Sequence, residues 1–173
     1  QFKIDGFANP FRRDRDKYGG GLLLYIRDDI PCKEIKLKNA LPSKIESIFV
    51  EINLRKKKYL LVGGYNPQKD TAPYFLSHIG NALDSLLGSY DNILLLGDFN
   101  STQEERSMKD FCETYSLKNL ITVPTCYKSL DNPSSIDVML TNRKQSFHNS
   151  MAIETGLSDH HKLTVSVLKI FFK

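Results

Sequence analysis

The chain has 173 residues, 40% of them apolar, and 24 Lys+Arg against 20 Asp+Glu give a formal net charge of +4 at pH 7. That length and mix fit one compact domain and exclude a disordered or fibrous chain. The longest apolar runs, Leu22–Ile26 and Ile93–Leu96, fall far below the ~18–20 residues that span a bilayer. Gln1-Phe2-Lys3-Ile4-Asp5 lacks the basic and apolar regions of a signal peptide, so no secretion is expected.

The first strand signal is Gly20–Arg27, after a glycine run, followed by a short one at Lys33–Leu37. Glu46–Leu54 alternates, with Ile48, Val50, Ile52 and Leu54 on one side and Ser47, Phe49, Glu51 and Asn53 on the other. Arg55–Lys58 reads as a hairpin turn into Tyr59–Tyr65. Apolar spacing predicts a helix over Pro73–Leu87, with Asp70 or Thr71 as N-cap. Asn92–Leu96 is a short apolar strand of the kind buried on both faces. A weaker helix signal covers Glu104–Tyr115, and further strands are predicted at Ser135–Thr141, Met151–Thr155 and Leu163–Ile170. Thr122–Ser135 is rich in Pro, Ser, Thr and Asn and reads as a long loop. Strands with two intervening helices indicate an α+β architecture.

Charge is unevenly spread. Residues 1–60 hold 14 basic and 8 acidic groups, residues 61–173 hold 10 and 12. The basic groups cluster at Arg12, Arg13, Arg15 and Lys17 and again at Arg55–Lys58. Each cluster fits either a polyanion footprint or a solvated loop and turn. Three cysteines with no CxxC spacing fit a reducing compartment better than a disulfide or zinc framework.

Chemistry-bearing side chains gather at strand ends. In Leu96-Gly97-Asp98-Phe99-Asn100 a carboxylate and a carboxamide follow a buried strand two residues apart. They suit a cleft, and they equally suit an Asx turn. Gly156-Leu157-Ser158-Asp159-His160-His161 precedes the last strand. Adjacent Asp and His face opposite ways in extended backbone, so His160 needs a separate carboxylate to orient it. Asp137 is the candidate, because a carboxylate within an apolar strand is costly to desolvate without a partner. A strand-edge aspartate and a polar turn are the bland alternatives for Asp137 and the histidines. Tyr65, in Gly63-Gly64-Tyr65-Asn66-Pro67, could donate its phenol to a phosphate or pack at a strand end. An acid-rich cluster with one histidine and no Ser or Cys nucleophile suggests metal-assisted attack by water on a phosphodiester.

The ordered series Gly19-Gly20-Gly21, Tyr65-Asn66-Pro67, Gly97-Asp98-Phe99-Asn100, Ser135-Ile136-Asp137 and Ser158-Asp159-His160 resembles the endonuclease/exonuclease/phosphatase superfamily over nearly the whole chain. The Arg12–Tyr18 lead-in, Pro124-Thr125 and Ser135-Ile136-Asp137 look most like endonuclease domains of non-LTR (LINE-type) retrotransposons. The resemblance implies a four-layer α-β-β-α sandwich of two mixed sheets flanked by helices, hydrolysing phosphodiesters with Mg²⁺ or Mn²⁺. It implies His160 as general base oriented by Asp137, with Asp98 and Asn100 positioning water, phosphate or metal. Asp159 would bind metal or handle the leaving group, Tyr65 would steady the phosphate, and Arg13, Arg15, Thr125 and Ser135 would contact nucleic acid. Which carboxylate holds metal is left open by the pattern.

Family members carry, upstream of the Arg12 lead-in, a first strand ending in Asn and a second ending in a metal-binding Glu. Glu34, Glu46 and Glu51 follow the glycine motif and do not fill that role. The expectation is therefore a single domain lacking its first strands and hydrolysing poorly or not at all in isolation. The implied setting is a monomer acting on DNA, with nuclear access, no membrane, and a downstream reverse transcriptase. Two alternatives stand beside it: an inactive nucleic-acid-binding fragment, and a phosphatase of inositol or lipid phosphates.

Overall fold

The computed structural model describes residues 3–168 apart from 18, 69, 70, 157 and 161. In chain order its elements are β1 (Phe11–Asp16), β2 (Gly19–Leu24), β3 (Cys32–Glu34), β4 (Glu46–Leu54), β5 (Lys57–Tyr65), α1 (Ala72–Leu86), β6 (Asn92–Asp98), α2 (Arg106–Thr114), β7 (Lys118–Asn119), β8 (Asp137–Thr141), β9 (Phe147–Glu154) and β10 (Lys162–Leu168). Strands β3 to β8 build one six-stranded sheet in the order β3-β4-β5-β6-β8-β7. Among the described residues only the β5–β6 pair is parallel, as its crossover through α1 requires. β1–β2 and β9–β10 are separate antiparallel ladders.

The alternation over 46–54 explains the layering. Phe49 of β4 lies with Leu60 and Val62 of β5, Leu95 of β6 and Leu140 of β8 on the face covered by α1 and α2. The helices contribute Phe75, Ile79, Leu83, Met108 and Phe111 to that core. Each such fully buried side chain stabilises by about 1.5–3 kcal/mol. On the opposite face Leu94, Leu96 and Met139, with Leu120 and Ile121, pack against Phe147 and Ala152 of β9. β1–β2 packs against β4 and β5. The result is the expected α+β sandwich, with helices outside one face of the mixed sheet. In place of the expected second mixed sheet, the described residues form two separate antiparallel ladders, β1–β2 and β9–β10.

Most departures from the sequence reading lie at element ends. Two strands are additional: β7, two residues long, and β1, whose Phe-Arg-Arg-Asp-Arg-Asp has no apolar period and is strand by its ladder to β2. α1 begins after Thr71, which donates from Oγ1 to Asn66 Oδ1 at 2.8 Å and makes no side-chain cap. Asp70, the other cap candidate, and the end of the last predicted strand at Ile170 lie outside the described residues. All three cysteines are free. No helix among the described residues is long and apolar enough to cross a membrane.

One close approach sets the sheet at its functional end. Gly97 pairs with Gly64, and a Cβ on Gly97 would lie 1.8 Å from the Gly64 carbonyl oxygen. Its φ of +140° is also one that side chains rarely adopt. Gly97→Ala should destabilise the fold by about 3–5 kcal/mol in urea unfolding. Gly88→Ala, at φ +84° with nothing within 4 Å of the added carbon, should cost only about 1–2 kcal/mol. Equal losses at both sites would contradict the contact.

Candidate active site

The sheet register puts four polar side chains in one transverse row. Glu46 pairs with Tyr65, Tyr65 with Asp98, and Asp98 with Asp137. Directly paired residues project to the same face. Here that is the face turned away from the two helices. Phe99 is the anchor for this end of the sheet: it is fully buried and packs edge-on against Phe75 with ring centroids 5.1 Å apart. Its neighbours Asp98 and Asn100 are thereby held at the core's rim.

Asp98 and Asn100 realise both of their sequence readings at once. Asn100 adopts φ +48° and its N–H donates to Asp98 Oδ1 at 2.9 Å, an Asx turn. Its amide donates to the Asn66 carbonyl oxygen at 2.7 Å and reaches Asp98 Oδ2 at 3.4 Å. The turn is therefore the device that aims the carboxylate, and Asn100 braces it.

His160 lies between two aspartates. Its Nδ1 is 2.9 and 3.1 Å from the two oxygens of Asp137, and its Nε2 is 3.8 Å from Asp98 Oδ2. A carboxylate only accepts, so Nδ1 carries the proton and Nε2 presents its lone pair toward Asp98. Burial works against a charged imidazole, yet the Asp137 hydrogen bond and the charges of Asp137, Asp98 and Asp159 outweigh it and raise the pKa above 6.5. Burial also lifts the Asp98 carboxyl, to about 6, with Asp137 and Asp159 adding to the rise against the Asn100 N–H and His160.

The 158–160 turn is held from both sides. His160 N–H donates to Ser158 Oγ at 3.1 Å, and Tyr127 N–H donates to the Asp159 carbonyl at 2.8 Å. Thr125 is fully buried, and its Oγ1 accepts from the Asp137 N–H at 3.2 Å. The long loop thus fixes both halves of the Asp137–His160 pair. That burial corrects the expected nucleic-acid contact by Thr125, which instead supports Asp137. Ser135 is half-buried and donates to the Val123 carbonyl at 3.0 Å. Asp159 is exposed beside the pair.

The two arginines separate. Arg15 pairs with Glu46 and its guanidinium stands 5.1 Å from the centre of the Tyr65 ring. Gly20 permits this, since a Cβ there would meet the guanidinium carbon at 2.8 Å. Arg13 lines a different hollow, with Glu34 and Lys36. His161 lies outside the described residues.

Sequence reasoning missed two structural members of the site. Asn66 is buried, donates to the Phe99 carbonyl at 3.1 Å, and offers its own carbonyl to Asn100. Its position between Tyr65 and Pro67 was the available signal. Glu46 is buried in the row with Oε2 unpartnered, and its signal was a carboxylate opening an apolar strand.

Asp98, Asp137 and His160 bring one ligand atom each within 4.8 Å of one another. Both Asp137 oxygens face His160 Nδ1. Asp98 is the half-buried carboxylate whose raised pKa a cation would reverse, and exposed Asp159 offers a ligand atom within 4.8 Å of His160 and Cys126. One or two carboxylates with the remaining positions filled by water or phosphate suit a hard divalent cation.

A mixed sheet between helices and hairpins, with a His–Asp pair and a second carboxylate at its edge, is a hydrolase fold. The chain belongs to the endonuclease/exonuclease/phosphatase family, whose model matches residues 3–160. The endonuclease domain of TRAS1, a telomere-specific non-LTR retrotransposon, superposes with a TM-score of 0.71 at 15% identity, covering 96% of this chain and 82% of that one. An endonuclease/exonuclease/phosphatase from Bacteroides vulgatus gives 0.66 at 14% identity, covering 95% and 77%. A mannosyl-6-phosphatase from Bacteroides thetaiotaomicron gives 0.62 at 12% identity, covering 97% and 78%. No curated protein sequence matches the chain.

Removing the Asp137 charge should lower the His160 pKa. In Asp137→Asn, the ring titration followed by NMR is expected to move to lower pH, and an unchanged midpoint would contradict the pairing. Stability should also depend on pH in metal-free buffer. Asp98 is raised from 3.8 to about 6, so the native state binds the extra proton between those values and stability falls as pH rises through them. The His160 contribution is complete below about 6.5 and is lost as pH rises through its higher folded pKa. Urea midpoints should therefore drop from pH 4 to pH 8, and Asp98→Asn should flatten the acidic part of that slope.

Proposed function

We propose that this chain is a DNA-nicking endonuclease domain of the retrotransposon type. The observation that carries the reading is the His160 ring held by Asp137 through Nδ1, with Nε2 3.8 Å from Asp98 Oδ2. A water placed about 2.8 Å from both atoms would be oriented by Asp98 and would give its proton to Nε2. Its oxygen forms the new P–O bond as the bond to the leaving oxygen breaks. Asp137 stabilises the imidazolium that results. Tyr65, in the same row, donates to a phosphate oxygen. Asp98 and Asp159 would hold Mg²⁺ or Mn²⁺, and the metal would supply charge neutralisation on the phosphoryl group.

The choice of DNA rests on the Arg12–Tyr18 lead-in and on the basic first 60 residues, with their 14 cationic and 8 acidic groups. The fold itself is shared with the TRAS1 endonuclease domain. The reading also takes the protein to be a monomer, joined to a downstream reverse transcriptase.

Nicking of supercoiled plasmid by the full-length protein with Mg²⁺ tests this reading. The protein is expected to relax plasmid, and His160→Ala to slow it about 10²–10⁴-fold. A protein that leaves plasmid intact while cleaving a phosphomonoester would be a phosphatase. Full nicking by His160→Ala would remove the general-base role.

A further inference from the structure

The second basic cluster of the sequence takes no part in the site described above. It lies at the other end of the central sheet, where β4 turns into β5 and β6 begins. Leu54 pairs with Lys57, so Arg55 and Lys56 alone form the turn. Both are left-handed, at φ +50° and +65°. A two-residue turn of this kind selects Asn-Gly, and longer side chains are strained there. Here the turn carries cations instead, and Lys57 and Lys58 follow at once.

Beside the turn lies a cleft of about 490 Å³, lined by Lys56, Lys57, Lys58, Arg143, Asp91 and Asn92, with three further uncharged polar side chains. Its walls are fixed. Asn92 donates to the Lys58 carbonyl at 3.0 Å, and Asn142 and Arg143 both donate to the Asp91 carbonyl, at 3.1 and 3.3 Å. Lys58 is shared with buried Glu51 at 3.7 Å. Lys56, Lys57 and Arg143 are exposed, and Asp91 is the one acid among the lining residues.

We infer that this cleft is a second nucleic-acid contact, taking the phosphodiester backbone of duplex DNA outside the segment presented to His160. Four cations against one carboxylate in a concave polar site complement a row of phosphates. The lining has no aromatic or aliphatic side chain. It therefore offers neither the buried anchor of a protein interface nor a platform for stacked bases. Asn92 at the cleft and Asp98 at the active site open and close the same strand. Six residue steps along it span about 20 Å, a separation that a duplex running along the strand direction covers in about six base pairs. The contact would therefore add affinity without base selection and would tether the enzyme to DNA beyond the scissile bond.

The test is fluorescence anisotropy with a labelled duplex of about 30 base pairs, in EDTA and over a salt series, so that it depends on binding alone. In K57Q/R143Q the affinity should fall about tenfold or more at 0.1 M salt, and the slope of log K against log salt should shrink by about 2. K57R/R143K should restore both. Unchanged affinity and slope in K57Q/R143Q, or failure of K57R/R143K to rescue, would overturn the contact. Displacement by polyglutamate as effective as by unlabelled duplex at equal charge would also overturn it, in favour of an acidic polypeptide. A protein that does not nick yet shows the slope change would lose the endonuclease reading and keep this one.

Discussion

The structure depends on how closely two backbones meet at the end of the central sheet. Gly97 approaches the Gly64 carbonyl more nearly than any side chain would allow. That contact lets β6 continue to Asp98 in register with Tyr65 on one side and Asp137 on the other. Phe99 then leaves the strand into the helical core, and Asn100 closes the turn back on Asp98. A glycine, a buried ring and a left-handed asparagine thus cooperate to hold one carboxylate at a fixed height. The row from Glu46 to Asp137 is a consequence of register, and register is a consequence of that approach.

The same geometry explains the electrostatics. Asp98 is half-buried at the end of β6 with no lysine or arginine among its ion-pair partners in the described residues, so its ionised form is disfavoured and its pKa is pushed up to about 6. His160 is drawn the other way, toward its cation, by the carboxylates around it. Both groups are thereby pushed toward their protonated forms, Asp98 by burial and His160 by its carboxylate neighbours. Arg15 is satisfied elsewhere, by Glu46 and the Tyr65 ring. It steadies the row without neutralising Asp98.

Much of this was legible in the residues. Alternation over 46–54 and the apolar run at 92–96 marked the two strands that organise the sheet, because hydrophobic period survives whatever partners a strand acquires. Asp137 was readable as a partnered carboxylate because it sat in an apolar strand, and His160 because its own neighbour could not orient it. β1 was not readable, since six residues with a single apolar side chain become strand only through pairing with β2. Thr125 was expected to touch nucleic acid only through the family resemblance of Pro124-Thr125. Its burial follows from the Asp137 N–H that needed an acceptor. The support given by Asn66 and Glu46 is likewise tertiary: each acquires its role from residues 34 or 31 positions away in the chain.

The central claim is that Asp137 fixes the His160 tautomer so that Nε2 is the free, basic nitrogen. The most direct measurement is the ¹⁵N spectrum of the His160 ring in metal-free protein, above the ring's pKa. The account predicts a protonated Nδ1 and a bare Nε2. A ring protonated at Nε2, with Nδ1 bare against Asp137, would contradict it.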